Sequence, residues 1–145
     1  MRGVEFVGIL LIALLPVLAV FGVFGPDRRS VVATSAGIGI EVDYPSRLRF
    51  ENLERLQILV TNNTAAPRDI TLEIDPAYLE AYSGLLFTPA PDERYVFRIV
   101  GLPSGESRVV SAELSAHEYG KHSGSVRFAS ADARGQVEIE TLIFP

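Results

Sequence analysis

The chain has 145 residues, 48% of them hydrophobic, with a net charge of −5 and no cysteine. That length supports one folded module with a single core. The acidic balance argues against a nucleic-acid partner, and the lack of thiols excludes both a disulfide framework and cysteine-based metal or redox centres.

Residues 4–24, VEFVGILLIALLPVLAVFGVF, carry one ionisable side chain, Glu5, at their edge. About 21 residues at a rise of 1.5 Å give roughly 31 Å of helix, which matches a hydrocarbon core of about 30 Å. The stretch therefore predicts a transmembrane helix within residues 1–25. A cleaved signal peptide would have a shorter apolar centre and a small-x-small exit, and here Pro26 would stand at the first mature position, so a retained anchor is expected. Pro16 removes one backbone donor and favours a kink. Gly8, Ala13, Ala19 and Gly22 offer small surfaces to a neighbouring helix, so these four and Pro16 are the candidates for helix docking. The span's interior has no His, Asp, Lys or Arg, hence no imidazole for a pigment or haem and no proton relay. Arg2 before the span and Arg28 and Arg29 after it leave the positive-inside count nearly balanced. Analogy with other single-pass anchors bearing small all-β modules puts the C-terminal domain on the extracytoplasmic, periplasmic side of the plasma membrane.

Residues 26–36 read as a short linker of small residues. Beyond it, residues 37–145 predict an immunoglobulin-like β-sandwich. Ile38, Ile40, Val42 and Tyr44 alternate, as do Leu56, Ile58 and Val60, then Ile70, Leu72 and Ile74, and period two marks half-buried strands. Asn62 to Pro67 separates the second and third of these runs with turn-forming residues, which predicts a hairpin between them. Pro76 to Tyr82 lacks β-branched residues and predicts one helical turn. Further strands are expected over 85–88, 95–100, 108–115, 125–129 and 136–144, with turns at 101–105, 119–124 and 132–135. Setting aside Arg2, Arg28 and Arg29 from the 13 basic residues, and Glu5 and Asp27 from the 18 acidic ones, leaves a net charge of −6 from Ser30 onward. Such a surface disfavours broad contact with anionic lipid.

The run Leu48 to Asn63, then Ile70-Thr-Leu-Glu-Ile74, then Gly101-Leu-Pro-Ser-Gly-Glu106, resembles bacterial immunoglobulin-like adhesion and accessory modules. It is also similar to the C-terminal immunoglobulin-like domain of cytochrome-oxidase accessory proteins, without their iron–sulfur cysteines. The resemblance implies the fold and structural or accessory work.

No motif for chemistry is complete. His117 and His122 with Glu118 are too few for a metal site of ordinary ligand count. Gly120-Lys121 lacks the first Gly and the closing Ser or Thr of a phosphate loop. Asp69, Glu73 and Asp75 could bind calcium, but a polar outer strand face is the default reading. Asn62-Asn63-Thr64 has the form of a glycosylation acceptor, although twelve Arg against one Lys suggests a GC-rich bacterium, in which it serves as a turn. The expectation is a non-enzymatic subunit of a larger membrane complex, respiratory or photosynthetic, without cofactor or metal. Its partners would be integral membrane subunits and the bilayer. The alternative is an independent anchored module that captures a protein or peptide by a strand edge.

Overall fold

The computed structural model describes residues 27–145 and, before them, Leu14. The expected spanning helix, with Gly8, Ala13, Pro16, Ala19 and Gly22, lies outside the described residues. Among those described, no helix is long and apolar enough to cross a membrane.

Nine strands and one short helix follow in the order β1 (Asp27–Ser35), β2 (Ile38–Arg49), β3 (Leu53–Asn62), β4 (Arg68–Ile74), α1 (Pro76–Leu79), β5 (Tyr82–Thr88), β6 (Val96–Leu102), β7 (Ser107–Ala116), β8 (Gly120–Ala129) and β9 (Arg134–Phe144). The neighbour order is β5-β7-β3-β2-β9-β8-β4-β6, with β1 added to β2. Two layers face each other, β5-β7-β3-β2 extended by β1 and β9-β8-β4-β6, and they are joined where β2 changes partner. Its first half, Ile38 to Asp43, pairs antiparallel with β3. Past Pro45, Arg47 to Arg49 run parallel to Leu142 to Phe144 of β9. The result is an all-β sandwich that is closed along one side in the manner of a half-barrel.

The alternation seen in the sequence becomes the core. Ile38, Ile40 and Val42 of β2, Leu56, Ile58 and Val60 of β3, and Val110, Ala112 and Leu114 of β7 are all buried in one layer. Opposite them lie Ile70, Leu72 and Ile74 of β4, Val126 and Phe128 of β8, and Val137, Ile139 and Ile143 of β9.

Three expectations are corrected. The segment read as a linker over 26–36 is mostly strand: β1 pairs with β2 from Asp27 opposite Arg47 to Ser35 opposite Ile38, broken only by a bulge at Asp27/Arg28. Val31 and Ala33 pack on the core while Val32 and Thr34 point out, so β1 does alternate, but with side chains too small to stand out in sequence. Ala36 (φ 44°) and Gly37 (φ 81°) turn the chain back as a two-residue loop. Secondly, β3 and β4 are not a hairpin. β3 pairs with β2 and β7, and β4 with β6 and β8, so residues 63–67 cross from one layer to the other. Asn62 makes this corner possible because its buried side chain replaces the hydrogen bonds that a ladder would have supplied.

The third correction concerns 119–124, which is strand from Gly120 onward. The small residues that resemble a turn are there for packing. A Cβ on Gly124 would stand 2.4 Å from Cβ of Tyr78 on α1, so the helical turn rests directly on this strand. The helical turn itself forms where expected, with Asp75 accepting from the N–H of Ala77 at 3.0 Å and Pro76 at the first position.

Candidate functional site

The residues singled out from the sequence are dispersed. His117 sits exposed after β7, its backbone N–H donating to the carbonyl of Ala81. His122 lies inside β8 opposite Thr141, and its Nε2 is buried with no partner among the described residues. No group of three or more His, Cys, Asp or Glu side chains suited to a metal ion occurs among those residues. Asp69 accepts from the N–H of Gly101 at 2.7 Å, Asp75 caps α1, and Glu73 faces Arg127 at 3.7 Å. The three carboxylates thus serve three separate purposes.

Asn62 is fully buried, donating to the carbonyls of Ala66 (2.9 Å) and Leu102 (2.8 Å) and accepting from both the N–H and the hydroxyl of Thr64. Every polar group of its amide is engaged, so it is a structural corner and closed to a glycosylating enzyme. Gly120-Lys121 opens β8, and Lys121 pairs with Glu140 at 2.8 Å.

Sequence reasoning missed a buried polar chain between the layers. Tyr82 donates to Tyr78 at 3.0 Å, the hydroxyls of Tyr78 and Thr141 are 2.8 Å apart, and Thr141 donates to the carbonyl of Pro45 at 2.6 Å. Burial, reinforced by the neighbouring Tyr82, pushes the Tyr78 phenol far above its ordinary range. Burial raises Tyr82 as well, against the lowering effect of its hydrogen bonds. Both phenols are therefore neutral at any physiological pH, which suits bracing and not proton transfer. The chain ties α1 to β9 and to β2 at the point where β2 switches layers.

Of four hollows on the outer surface, of about 470, 260, 200 and 190 Å³, two are lined by more than one basic side chain. The larger, about 470 Å³, lies over the β8–β9 end beside β4, and its charged walls are Glu73, Arg127 and Arg134. The smaller, about 190 Å³, is lined by Arg29, Ser46, Arg47, Lys121, Glu140 and Leu142. Strand register assembles it: Lys121 of β8 stands opposite Leu142 of β9, Leu142 beside Arg47 of β2, and Arg47 opposite Asp27 of β1. At the same end Phe50 stacks on Tyr119 with ring centroids 4.4 Å apart, and Tyr119 is more than half exposed. No sequence motif could signal this hollow, because its basic residues come from three strands.

No family model matches the chain, and no curated protein matches it. Among solved structures, the chain is similar to WR4, a member of the MSP family from C. elegans, at 6% identity and a TM-score of 0.43 over 74% of this chain and 98% of that one. It is similar to the cupredoxin domain of amoB from Nitrosocaldus yellowstonii at 11% identity and 0.44, over 83% and 90%. It is likewise similar to a PapD-like domain of human CEP192 at 10% identity and 0.43, over 76% and 87%. The all-β sandwich rests on the strand pairing described above.

Proposed function

We propose that this protein is a non-catalytic accessory subunit of a larger integral membrane complex, respiratory or photosynthetic. Residues 4–24 anchor it in the plasma membrane and the sandwich covers an extracytoplasmic face. One observation carries the reading: the apolar stretch ends at Phe24 and β1 begins at Asp27, so only Gly25 and Pro26 separate them. β1 is hydrogen-bonded to β2 along its length, so the sandwich begins three residues past the apolar stretch. An independent receptor on a stalk gains from a flexible tether, whereas a subunit docked through both its helix and its module gains from a stiff one. The described polar groups support the same reading, since the buried tyrosines, Asn62 and Asp75 are all committed to holding the fold.

Purification in mild detergent tests it. Membrane subunits should co-elute with the chain in fixed ratio, and protease added outside intact spheroplasts should digest residues 27–145. A chain that elutes alone, or a module protected while the inner membrane is sealed, sinks the proposal. The second reading, capture of a peptide by strand addition, is favoured by β5 and β6, each of which pairs along one side only among the described residues. It would show as a substoichiometric and variable set of captured proteins.

A further inference from the structure

We propose that the hollow between β1, β2, β8 and β9 is a binding site for the phosphate of an anionic phospholipid headgroup, with Arg29, Arg47 and Lys121 as its ligands. The inference rests on the reading of residues 4–24 as a membrane span. It concerns a different property, the choice of lipid.

Position is the first argument. Arg47 stands opposite Asp27, which is only three residues past the apolar stretch. Three extended residues cover at most about 11 Å, and long basic side chains reach back toward the membrane with their stems along apolar surface. The headgroup layer on each side of a bilayer is roughly 5–8 Å thick, so a chain of that length keeps the hollow's side chains within reach of it.

Chemistry is the second. Three of the lining residues are cations and one is an anion, Glu140, which engages Lys121 at 2.8 Å. Arg29 and Arg47 have no ion pair among the described residues, a state they share with Arg49, Arg94, Arg108 and Arg134, so no carboxylate neutralises them at the hollow. Asp27 is turned to the hydroxyl of Ser46, from which it accepts at 3.1 Å. Two guanidinium forks beside an ammonium suit a phosphate's oxygens.

Surroundings are the third. Leu142 is 46% exposed at the floor of the hollow, and the Phe50–Tyr119 stack lies at the same end of the sandwich. Exposed apolar and aromatic groups beside cations are the composition of a membrane interface. The acidic surface elsewhere repels an anionic bilayer, but charges beyond about 8 Å are largely screened at physiological salt. The attraction is therefore local and confined to this corner.

The test uses the full chain in mild detergent with added phosphatidylglycerol or phosphatidylcholine, and native mass spectrometry to count retained lipid. The wild type should retain phosphatidylglycerol in preference. Neutralising Arg29→Gln, Arg47→Gln and Lys121→Gln should lower that preference by roughly fivefold per charge, equivalent to about 1 kcal/mol each. Glu140→Gln should raise it by releasing Lys121, so the site remains testable should the triple variant fold poorly. Equal retention of both lipids by the wild type overturns the proposal, as does an unchanged preference in the variants. Inorganic phosphate binding without any lipid preference shows a soluble-anion site and also overturns it. Loss of co-eluting subunits from the triple variant with lipid retention intact makes the hollow a protein contact, and overturns it too. Alkaline carbonate extraction separates the two readings: release of the wild-type chain from membranes sinks the anchor, whereas a retained chain without lipid preference sinks only the headgroup site.

Discussion

Leu72 and Ile58 sit in facing layers, both fully buried, at positions where a polar group would find no partner. Leu72→Asp or Ile58→Asp places a carboxylate there and is expected to cost several kcal/mol, enough to unfold much of the population at ambient temperature. Thermal melting of the full chain by circular dichroism checks this, and a parental melting curve would mean that the inward rows are misassigned. The buried tyrosines give a residue-scale prediction with a defined pH window. Tyr78 and Tyr82 are both held above their ordinary value of 10.0 by burial. A raised pKa in the folded state means that the unfolded chain ionises first, so their contribution is intact below pH 10 and falls as pH rises beyond it. Each such tyrosine adds up to about 1.4 kcal/mol of lost stability per pH unit there. Tyr82→Phe should therefore flatten the fall in urea-unfolding stability above pH 10, at the expense of one hydrogen bond to Tyr78 at neutral pH. An identical slope in the two proteins would show that Tyr82 ionises freely in the fold.

At the scale of elements, the β1–β2 hairpin is open to a direct test. Its turn needs positive φ at both Ala36 and Gly37, and a Cβ on Gly37 would stand 2.8 Å from Cγ2 of Thr64. Gly37→Val is expected to cost about 1–3 kcal/mol through strain and crowding, while Ala36→Asn, which tolerates the left-handed region better, should raise the melting temperature. Opposite signs at adjacent positions are hard to obtain from any other turn geometry; shifts of the same sign would sink it. The faces of β2, β3 and β4 were legible because each buries one side, and period two records that directly. Their neighbours were not legible, since alternation says which way a side chain points and nothing about which strand lies beside it. That is why Asn62 to Pro67 resembled a hairpin loop and was a corner between layers. β1 escaped notice because its inward residues are only Val31 and Ala33, and the start of β8 because Gly124 is small to admit Tyr78. The Arg29, Arg47 and Lys121 hollow depends on register across four strands, a relation that no local window of sequence contains.

For the molecule as a whole, the proposed reading gives two docking surfaces, residues 4–24 and the sandwich, with only Gly25 and Pro26 between the apolar stretch and β1, and the partner should feel both. On that reading Gly8, Ala13, Ala19 and Gly22 are the positions expected to admit a neighbouring helix, and Pro16 is expected to favour a kink between them. Replacing Gly8 and Ala13 by Leu raises hydrophobicity, so membrane insertion should be unaffected, but it removes the close approach on which helix packing in lipid depends. The chain should then dissociate from its complex in detergent while the complex's chemistry, carried by other subunits, continues at lower thermal stability. Contacts made by the sandwich would remain, so loss should be graded with detergent strength and not absolute. Quantitative mass spectrometry of the purified complex, with its activity measured on the same sample, distinguishes the outcomes. Full retention of the substituted chain would make the helix an anchor alone and move all recognition to the sandwich. Activity abolished in an intact complex would instead assign this subunit a chemical role, and the non-catalytic reading would fall.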